Sequence, residues 1–398
     1  MLLQTDSPLA AALALARRAQ DLSPPNPRVG CVITDAAGRV LGEGHTQAVG
    51  GPHAEVMALR DAQSRGHRVA GATAWVTLEP CSHQGRTPPC CDALVSAGVA
   101  RVVAALEDPN PQVQGRGFAR LRTAGIAVDV LPTDDPIAQQ ARWLNIGFFS
   151  RMLRGRPWVR LKLAATLDGR TALPDGRSHW ITGDAARDDN QHWRARACAI
   201  LTGSGTVLAD DPLLNVRLPD ARRQPALAVL DSRLSLPTSA RIFSGNRPVW
   251  LFAARPPDGD HGRADESDPG TATRSPAADA ARRQRADALR DRRAEVVTLP
   301  APAGRIDLAA LMCALADREV NELHVEAGPT LAGALIAAGL ADELLLYLAP
   351  ALMGEGLPLA RFGPVESLAA MPRLDRLAVE AIGGDWRITG VFEGHDRF

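Results

Sequence analysis

The sequence predicts a two-domain α/β protein, because strand-forming and helix-forming segments alternate through both halves of the chain. At 398 residues it exceeds a typical single domain, and a hydrophobic content of 45% is ample for two cores. A short basic stretch, residues 150–157, reads as a connector between the two alternating patterns. The expected domains are therefore 1–148 and 149–398.

In the first half, Ser7 and Pro8 suit the N-cap and first position of a helix over residues 9–18, and Pro24-Pro25-Asn26-Pro27 breaks it. Residues 29–34 and 40–44 are β-rich runs around Ala36-Ala37-Gly38, the pattern of a hairpin. Val56, Leu59 and Ala62 fall at helical spacing, which places His53 and Glu55 in a first turn. A strand over residues 72–78 leads to Glu79-Pro80-Cys81, and Pro89 opens the next helix with Cys90 in its first turn. Strands over 102–105 and 128–131 then alternate with helices over 117–124 and 136–145.

In the second half, strands are expected over 158–166, 199–202, 226–231, 249–253, 296–299, 323–326 and 344–348. Helices over 184–197 (with Asp184 as a cap), 307–316 and 331–338 intervene, and residues 377–382 and 386–392 close the chain as strands. This pattern fits a mostly parallel sheet with an antiparallel C-terminal edge. Residues 255–295, rich in Pro, Gly, Asp, Arg and Ala, read as a surface insertion whose later part, 277–293, can form a polar helix.

Lys+Arg and Asp+Glu balance at 45 each, so no global field favours nucleic acid or membrane, and a small-molecule substrate is expected. The longest apolar runs, such as 9–16 and 343–350, are too short to span a bilayer, and no basic region followed by an apolar stretch opens the chain. A cytoplasmic protein is the expectation. Six cysteines in so long a chain argue for a reducing compartment rather than a disulfide framework.

The chemistry concentrates between His53 and Cys90. His53, Cys81 and Cys90 offer one imidazole and two thiols, the donor set of a borderline-soft tetrahedral metal with one open position, which points to zinc. Zinc held by two thiolates and a neutral imidazole is a formally neutral centre that lowers the pKa of bound water to about 7. Glu55, two residues after the histidine, matches the proton-shuttling Glu of the zinc deaminase signature, which does not bind the metal. Cys91 competes with Cys90 for the third ligand position, and a structural site with His83 as a fourth ligand is the alternative to a catalytic one.

In the second half, Val325-Glu326-Ala327-Gly328-Pro329-Thr330-Leu331 reads as strand, glycine turn and helix start, where free amides and the helix dipole favour a phosphate. Gly203-Ser204-Gly205-Thr206 follows a strand in the same way. Neither is a Rossmann fingerprint.

Most cytidine-type deaminases carry Cys-x-x-Cys, whereas eight residues separate Cys81 from Cys90. The run Glu79-Pro80-Cys81-Ser82-His83-x-Gly85-Arg86-Thr87-Pro88-Pro89-Cys90 closely resembles the riboflavin-biosynthesis pyrimidine deaminases, as do Pro25-Asn26-Pro27-x-Val29-Gly30-Cys31-Val32 upstream and Asp108-Pro109-Asn110-Pro111 downstream. The Pro-Pro before Cys90 in that pattern favours it over Cys91. The resemblance implies a cytidine-deaminase-like α/β/α domain whose substrate pocket is lined by Asn26, His45, His83, Arg86 and Asn110, the basic groups serving a ribose phosphate.

That family is usually fused to a reductase, and the second half is similar to that partner. The resemblance rests on Leu161-Lys162-x-Ala164-x-x-Leu167-Asp168-Gly169-Arg170-x-Ala172, Trp180-Ile181-Thr182, Ala186-Arg187, Arg194-Ala195, Thr206-Val207-Leu208-Ala209-Asp210-Asp211-Pro212 and residues 325–330. It implies a dihydrofolate-reductase-like fold that binds NADPH through Ala164, Trp180, Thr206, Asp210, Ser232 and Gly328, Pro329, Thr330 and Leu331. Ser178, Arg194, Leu214, Arg217 and Glu326 would contact the substrate, and Lys162 and Asp210 are the candidates to support ring opening and protonation during hydride transfer. The implied product is a ribityl chain made from a deaminated ribosylaminopyrimidine, and family members are commonly homo-oligomers. Two positions depart from the pattern: Thr166 replaces a Ser while keeping the hydroxyl, and Gly183 replaces a Ser and loses it.

Overall fold

A computed structural model describes residues 7–84, 88–255 and 276–398. The chain divides into two compact units, the first comprising residues up to Trp158 with Glu319–Glu322 and Phe398, the second comprising Val159–Arg318 and Leu323–Arg397. The division lies beyond the expected boundary at 148. A nine-residue helix, α6 (Ile146–Arg154), occupies most of the expected connector and buries Ile146, Phe148 and Phe149.

The first unit runs α1 (Pro8–Arg17), β1 (Gly30–Thr34), β2 (Val40–His45), α2 (Ala54–Ser64), β3 (Thr73–Val76), α3 (Cys90–Ser96), β4 (Arg101–Ala104), α4 (Arg116–Thr123), β5 (Ala127–Val130), α5 (Pro136–Leu144) and then α6. Its five-stranded sheet has the order β2-β1-β3-β4-β5. The expected β1–β2 hairpin is present, β1 also pairs antiparallel with β3, and β3, β4 and β5 run parallel. Two glycines set how closely helices sit on this sheet. A Cβ at Gly30 would lie 1.8 Å from the Ala12 carbonyl oxygen of α1, and one at Gly44 would lie 2.4 Å from the Ala54 carbonyl oxygen of α2. Gly44 pairs with Cys31, the neighbour of Gly30 along β1, and successive residues of a strand face opposite ways. The two helices therefore cover opposite faces, and α2 brings His53 and Glu55 down onto the sheet.

The second unit contains β6 (Trp158–Thr166), β7 (Arg170–Ala172), α7 (Asp184–Arg196), β8 (Ala199–Gly203), α8 (Ser204–Asp210), β9 (Ala226–Leu230), β10 (Val249–Ala254), α9 (Pro276–Asp291) and β11 (Ala294–Leu299). It continues through α10 (Leu308–Ala316), β12 (Glu322–Glu326), α11 (Pro329–Ala337), β13 (Glu343–Ala349), β14 (Leu357–Pro358), β15 (Leu374–Ile382) and β16 (Asp385–Phe392). A nine-stranded sheet has the order β11-β10-β9-β8-β12-β6-β13-β16-β15, and β7 pairs with β14 in a separate ribbon. From β11 to β12 every neighbouring pair is parallel, as is β6 with β13, while β13–β16 and β16–β15 are antiparallel. The expected parallel sheet with an antiparallel C-terminal edge is thus present.

Two local expectations need correction. Asp184 is the first residue of α7 rather than its cap; Gly183 holds the cap position, and its N–H donates to Asp385 Oδ2 at 2.7 Å. A carboxylate from β16 thereby satisfies one of the free N–H groups at the helix start, that of the cap residue itself. The second correction concerns residues 255–295. Residues 256–275 lie outside the described residues, but α9 is no solvated appendage: Ala286 and Leu289 are buried in the core beneath β9, β10 and β11. Arg282 is also buried and donates through Nη1 to the Ser232 carbonyl at 3.2 Å and through Nη2 to the Ala254 carbonyl. Parallel neighbours such as β10 and β11 require a crossover, and α9 supplies it.

Candidate active sites

In the first unit, His53 sits at the N-cap of α2 in extended conformation, and Glu55 lies in the first turn with 3% of its surface exposed. Cys81 follows the buried Thr77-Leu78-Glu79-Pro80 run that continues β3, and Cys90 is the first residue of α3. His53 Nδ1 lies 3.6 Å from Cys81 Sγ and 3.3 Å from Cys90 Sγ, and all three donor atoms fall within 4.8 Å of one another. The Cys90 amide also donates to Cys81 Sγ at 3.3 Å. One nitrogen and two sulfurs at these spacings fit zinc, and three protein ligands leave the fourth tetrahedral position for a reactant.

Cys91, the competing ligand, turns into the protein instead: its thiol donates to the Pro80 carbonyl at 3.2 Å and faces the Gly117 carbonyl at 3.5 Å. Hydrogen bonding from Cys90 and then from His53 lowers the pKa of the Cys81 thiol, the direction that favours a metal-binding thiolate. Burial, with the Cys81 charge nearby, pushes the Glu55 carboxyl up to about 7, where it exchanges protons near neutrality.

Of the expected pocket residues, His45 ends β2, opposite Gly30, and Asn26 lies on the turn before β1. The Asn110 amide donates to Asp108 Oδ1 at 2.8 Å, and its side-chain Oδ1 accepts from the Gln112 amide at 3.0 Å. His83 carries a buried Nδ1 with no partner among the described residues. Arg86 lies outside the described residues.

In the second unit the expected cofactor residues gather at the carboxyl ends of neighbouring strands: Ala164 on β6, Thr206 after β8, Ser232 after β9, and Gly328, Pro329, Thr330 and Leu331 after β12. That edge is where open α/β sheets bind ligands. Gly203 and Gly328 are the N-caps of α8 and α11, and a Cβ at Gly203 would lie 4.0 Å from Leu331 Cδ2, so the two helix starts are adjacent. Built side chains at Gly205 and Gly328 would meet nothing within 4 Å. Two neighbouring amide-rich helix starts with open space before them fit a phosphate-bearing cofactor. Trp180 is largely exposed, with Arg187 over its ring at 4.5 Å.

The expected substrate residues Arg194 and Glu326 contact each other. Arg194 Nε donates to Glu326 Oε1 at 2.5 Å, Nη2 to Oε2 at 2.9 Å, and Nη1 to the Asn215 carbonyl at 2.9 Å. Asn190 Nδ2 donates to Glu326 Oε1 at 3.3 Å, and its Oδ1 lies 3.2 Å from Nε2 of the fully buried His324. Burial opposes ionisation of Glu326, yet Arg194, His324 and Lys162 together hold its carboxyl well below the usual range. Desolvation lowers the Lys162 ammonium pKa, with Glu326 working against that shift. Asp210 ends α8, is exposed, and forms no ion pair with Lys162 among the described residues. Leu214 is buried at φ 49°, its carbonyl held by Arg247 Nη1 at 2.5 Å, while Arg217 and Ser178 are solvent-accessible.

Three buried polar residues beside these sites carry no local sequence signal: Glu79 stands in a motif read for its cysteine, and Asn190 and His324 meet where α7 approaches β12.

The first unit thus has the fold and ligand set of a zinc-dependent deaminase, and the second is a mostly parallel sheet with two helix starts side by side at the carboxyl ends of its strands. Residues 4–106 match the cytidine and deoxycytidylate deaminase zinc-binding region, and residues 157–388 match the RibD C-terminal domain. The riboflavin biosynthesis protein RibD of Escherichia coli is 45% identical over 96% of this chain and 98% of its own length. The structure of Acinetobacter baumannii RibD superposes with a TM-score of 0.81 at 38% identity, covering 98% of this chain and 99% of that one. A Thermotoga maritima diaminohydroxyphosphoribosylaminopyrimidine deaminase/5-amino-6-(5-phosphoribosylamino)uracil reductase gives 0.77 at 29% identity, with 97% and 98% covered. The chain belongs to the RibD family of bifunctional deaminase/reductases.

Proposed function

We propose that this riboflavin-biosynthesis enzyme first removes the 2-amino group of 2,5-diamino-6-(5-phosphoribosylamino)pyrimidin-4(3H)-one by hydrolysis and then reduces the ribosyl chain to ribityl with NADPH. The observation that carries the reading is the His53, Cys81 and Cys90 triad beside the buried Glu55, in a chain that also holds the reductase domain. When bound to these ligands, zinc supplies the Lewis acidity that lets water attack at neutral pH. Glu55, poised near neutrality, takes the proton of the attacking water and returns it to the departing amine. The C–N bond breaks, ammonia leaves and a carbonyl remains. His83, whose buried Nδ1 has no partner among the described residues, Arg86, Asn26, His45 and Asn110 would hold the substrate.

In the second unit the α8 and α11 starts support NADPH binding, and Lys162 and Asp210 are assigned to opening the ribose ring and protonating its oxygen. Leu377 and Val379 are exposed on the edge strand β15, which supports a homo-oligomer. Among the described residues no helix is long and apolar enough to cross a membrane. All six cysteines are unpaired, in keeping with a cytoplasmic setting.

The test is Glu55→Gln. Ammonia release should fall by about 10²–10⁴-fold with zinc retained, the range of general acid–base catalysis. NADPH oxidation on supplied deaminated substrate should persist. Loss of zinc from this variant, or equal wild-type activity on cytidine, would contradict the assignment.

A further inference from the structure

Glu79 is 4% exposed, yet no side-chain cation pairs with it among the described residues. Its carboxylate accepts four backbone hydrogen bonds instead: Oε2 from Asp108 N at 3.2 Å and Gly115 N at 3.0 Å, Oε1 from Gly117 N at 2.8 Å and Phe118 N at 3.2 Å. Four amide donors on one buried carboxylate are a strong charge-assisted anchor. They span the segment 108–115 and the first turn of α4, and they converge on a residue two positions before the metal ligand Cys81. Gly117 permits the approach, because a Cβ there would lie 2.1 Å from the Pro80 carbonyl oxygen and 3.0 Å from Glu79 Oε1.

The two sides of this anchor are not equally dependent on it. The Pro80-Cys81 side has its own ties to α3: Cys91 Sγ to the Pro80 carbonyl at 3.2 Å, the Cys91 amide to the Cys81 carbonyl at 3.2 Å, and the Cys90 amide to Cys81 Sγ at 3.3 Å. Among the described residues, the hydrogen bonds from 108–115 to the metal-ligand segment run through Glu79 alone. Asp108, fixed by Glu79 at its amide, in turn accepts from the Asn110 amide at 2.8 Å.

We propose that Glu79 is a positioning residue of the deaminase: it sets the distance between the metal-ligand segment and Asn110, and so governs substrate binding without holding the metal. This rests on the reading of Asn110 as a pocket residue. The Glu79→Gln side chain keeps one oxygen for two of the amides and presents an NH₂ donor to the other two.

The experiment compares the full-length zinc enzyme with Glu79→Gln, Asn110→Ala and the double variant, measuring ammonia release, zinc content and NADPH oxidation. Expected for Glu79→Gln is a KM about tenfold higher with kcat within about threefold, equivalent to about 1.4 kcal/mol of uniform binding. Zinc content and NADPH oxidation should match wild type, which also reports that the variant folds. The double variant should be no worse than Asn110→Ala, the signature of two residues acting through one route. Loss of zinc, a fall in kcat at constant KM, wild-type kinetics, or additive effects in the double variant each overturn the proposal. If Asn110→Ala alone leaves KM unchanged, the reading of Asn110 fails and the route through it fails too. If Asn110→Ala raises KM while Glu79→Gln does not, only the role of Glu79 is lost.

Discussion

The Arg194 guanidinium is clamped on the Glu326 carboxylate through two hydrogen bonds, at 2.5 and 2.9 Å, with both side chains about nine-tenths buried. Its fork is therefore engaged by the protein itself. Arg194→Leu leaves a buried carboxylate without its main counter-charge and should cost about 3–5 kcal/mol, whereas adding Glu326→Leu should recover much of that loss. Denaturant unfolding of the two variants checks both signs.

His324 gives this cluster a pH dependence. Burial, outweighing the help of Glu326, lowers its pKa below the ordinary 6.5. Above pH 6.5 the ring is neutral folded or unfolded and contributes nothing. As pH falls below that value the unfolded chain takes up the proton first, so stability should decline until the folded ring also titrates. Thermal unfolding between pH 7.5 and about 5 should show a drop that is reduced in His324→Gln.

Leu289 tests whether α9 belongs to the core. It is 1% exposed on a helix otherwise rich in charge, and Leu289→Ala should destabilise the second unit by about 2–5 kcal/mol. A change within about 0.5 kcal/mol, measured by denaturant unfolding, would instead mark a surface helix.

Metal removal should separate the two activities. The three proposed zinc ligands all belong to the first unit, so chelation is expected to abolish ammonia release and leave NADPH oxidation of supplied deaminated substrate near its starting rate. Restoring zinc should restore ammonia release.

The parts readable from sequence were those governed by local rules. The proline and glycine breaks and the alternation of elements depend on neighbours a few residues apart, while Cys81 and Cys90, though 28 and 37 positions from His53, are legible because the three residue types form a metal-ligand set, and the structure contains all of these. What escaped depends on contacts between distant segments. Glu79 reaches amides 29 to 39 positions away, and His324 meets Asn190 across 134 positions. The misreading of α9 has a related cause: among its described residues the buried stripe is Arg282, Ala286 and Leu289, and the arginines and aspartates around it conceal its helical face. At Gly183 the backbone N–H is held by Asp385, 202 positions away, a contact that no local pattern announces.

The link from Asp385 to Gly183 also bears on the order in which the molecule assembles. The same strand, β16, sends Arg387 Nη1 to Asp189 of α7 at 2.7 Å, and Asp189 receives the Tyr347 hydroxyl at 2.5 Å. Helix α7, which carries Asn190 and Arg194, is thus fastened by residues translated nearly 200 positions after it. On the ribosome this helix emerges long before its fastening strand, so α7 gains these ties late in synthesis, whereas His53, Cys81 and Cys90 have all emerged once Cys90 has.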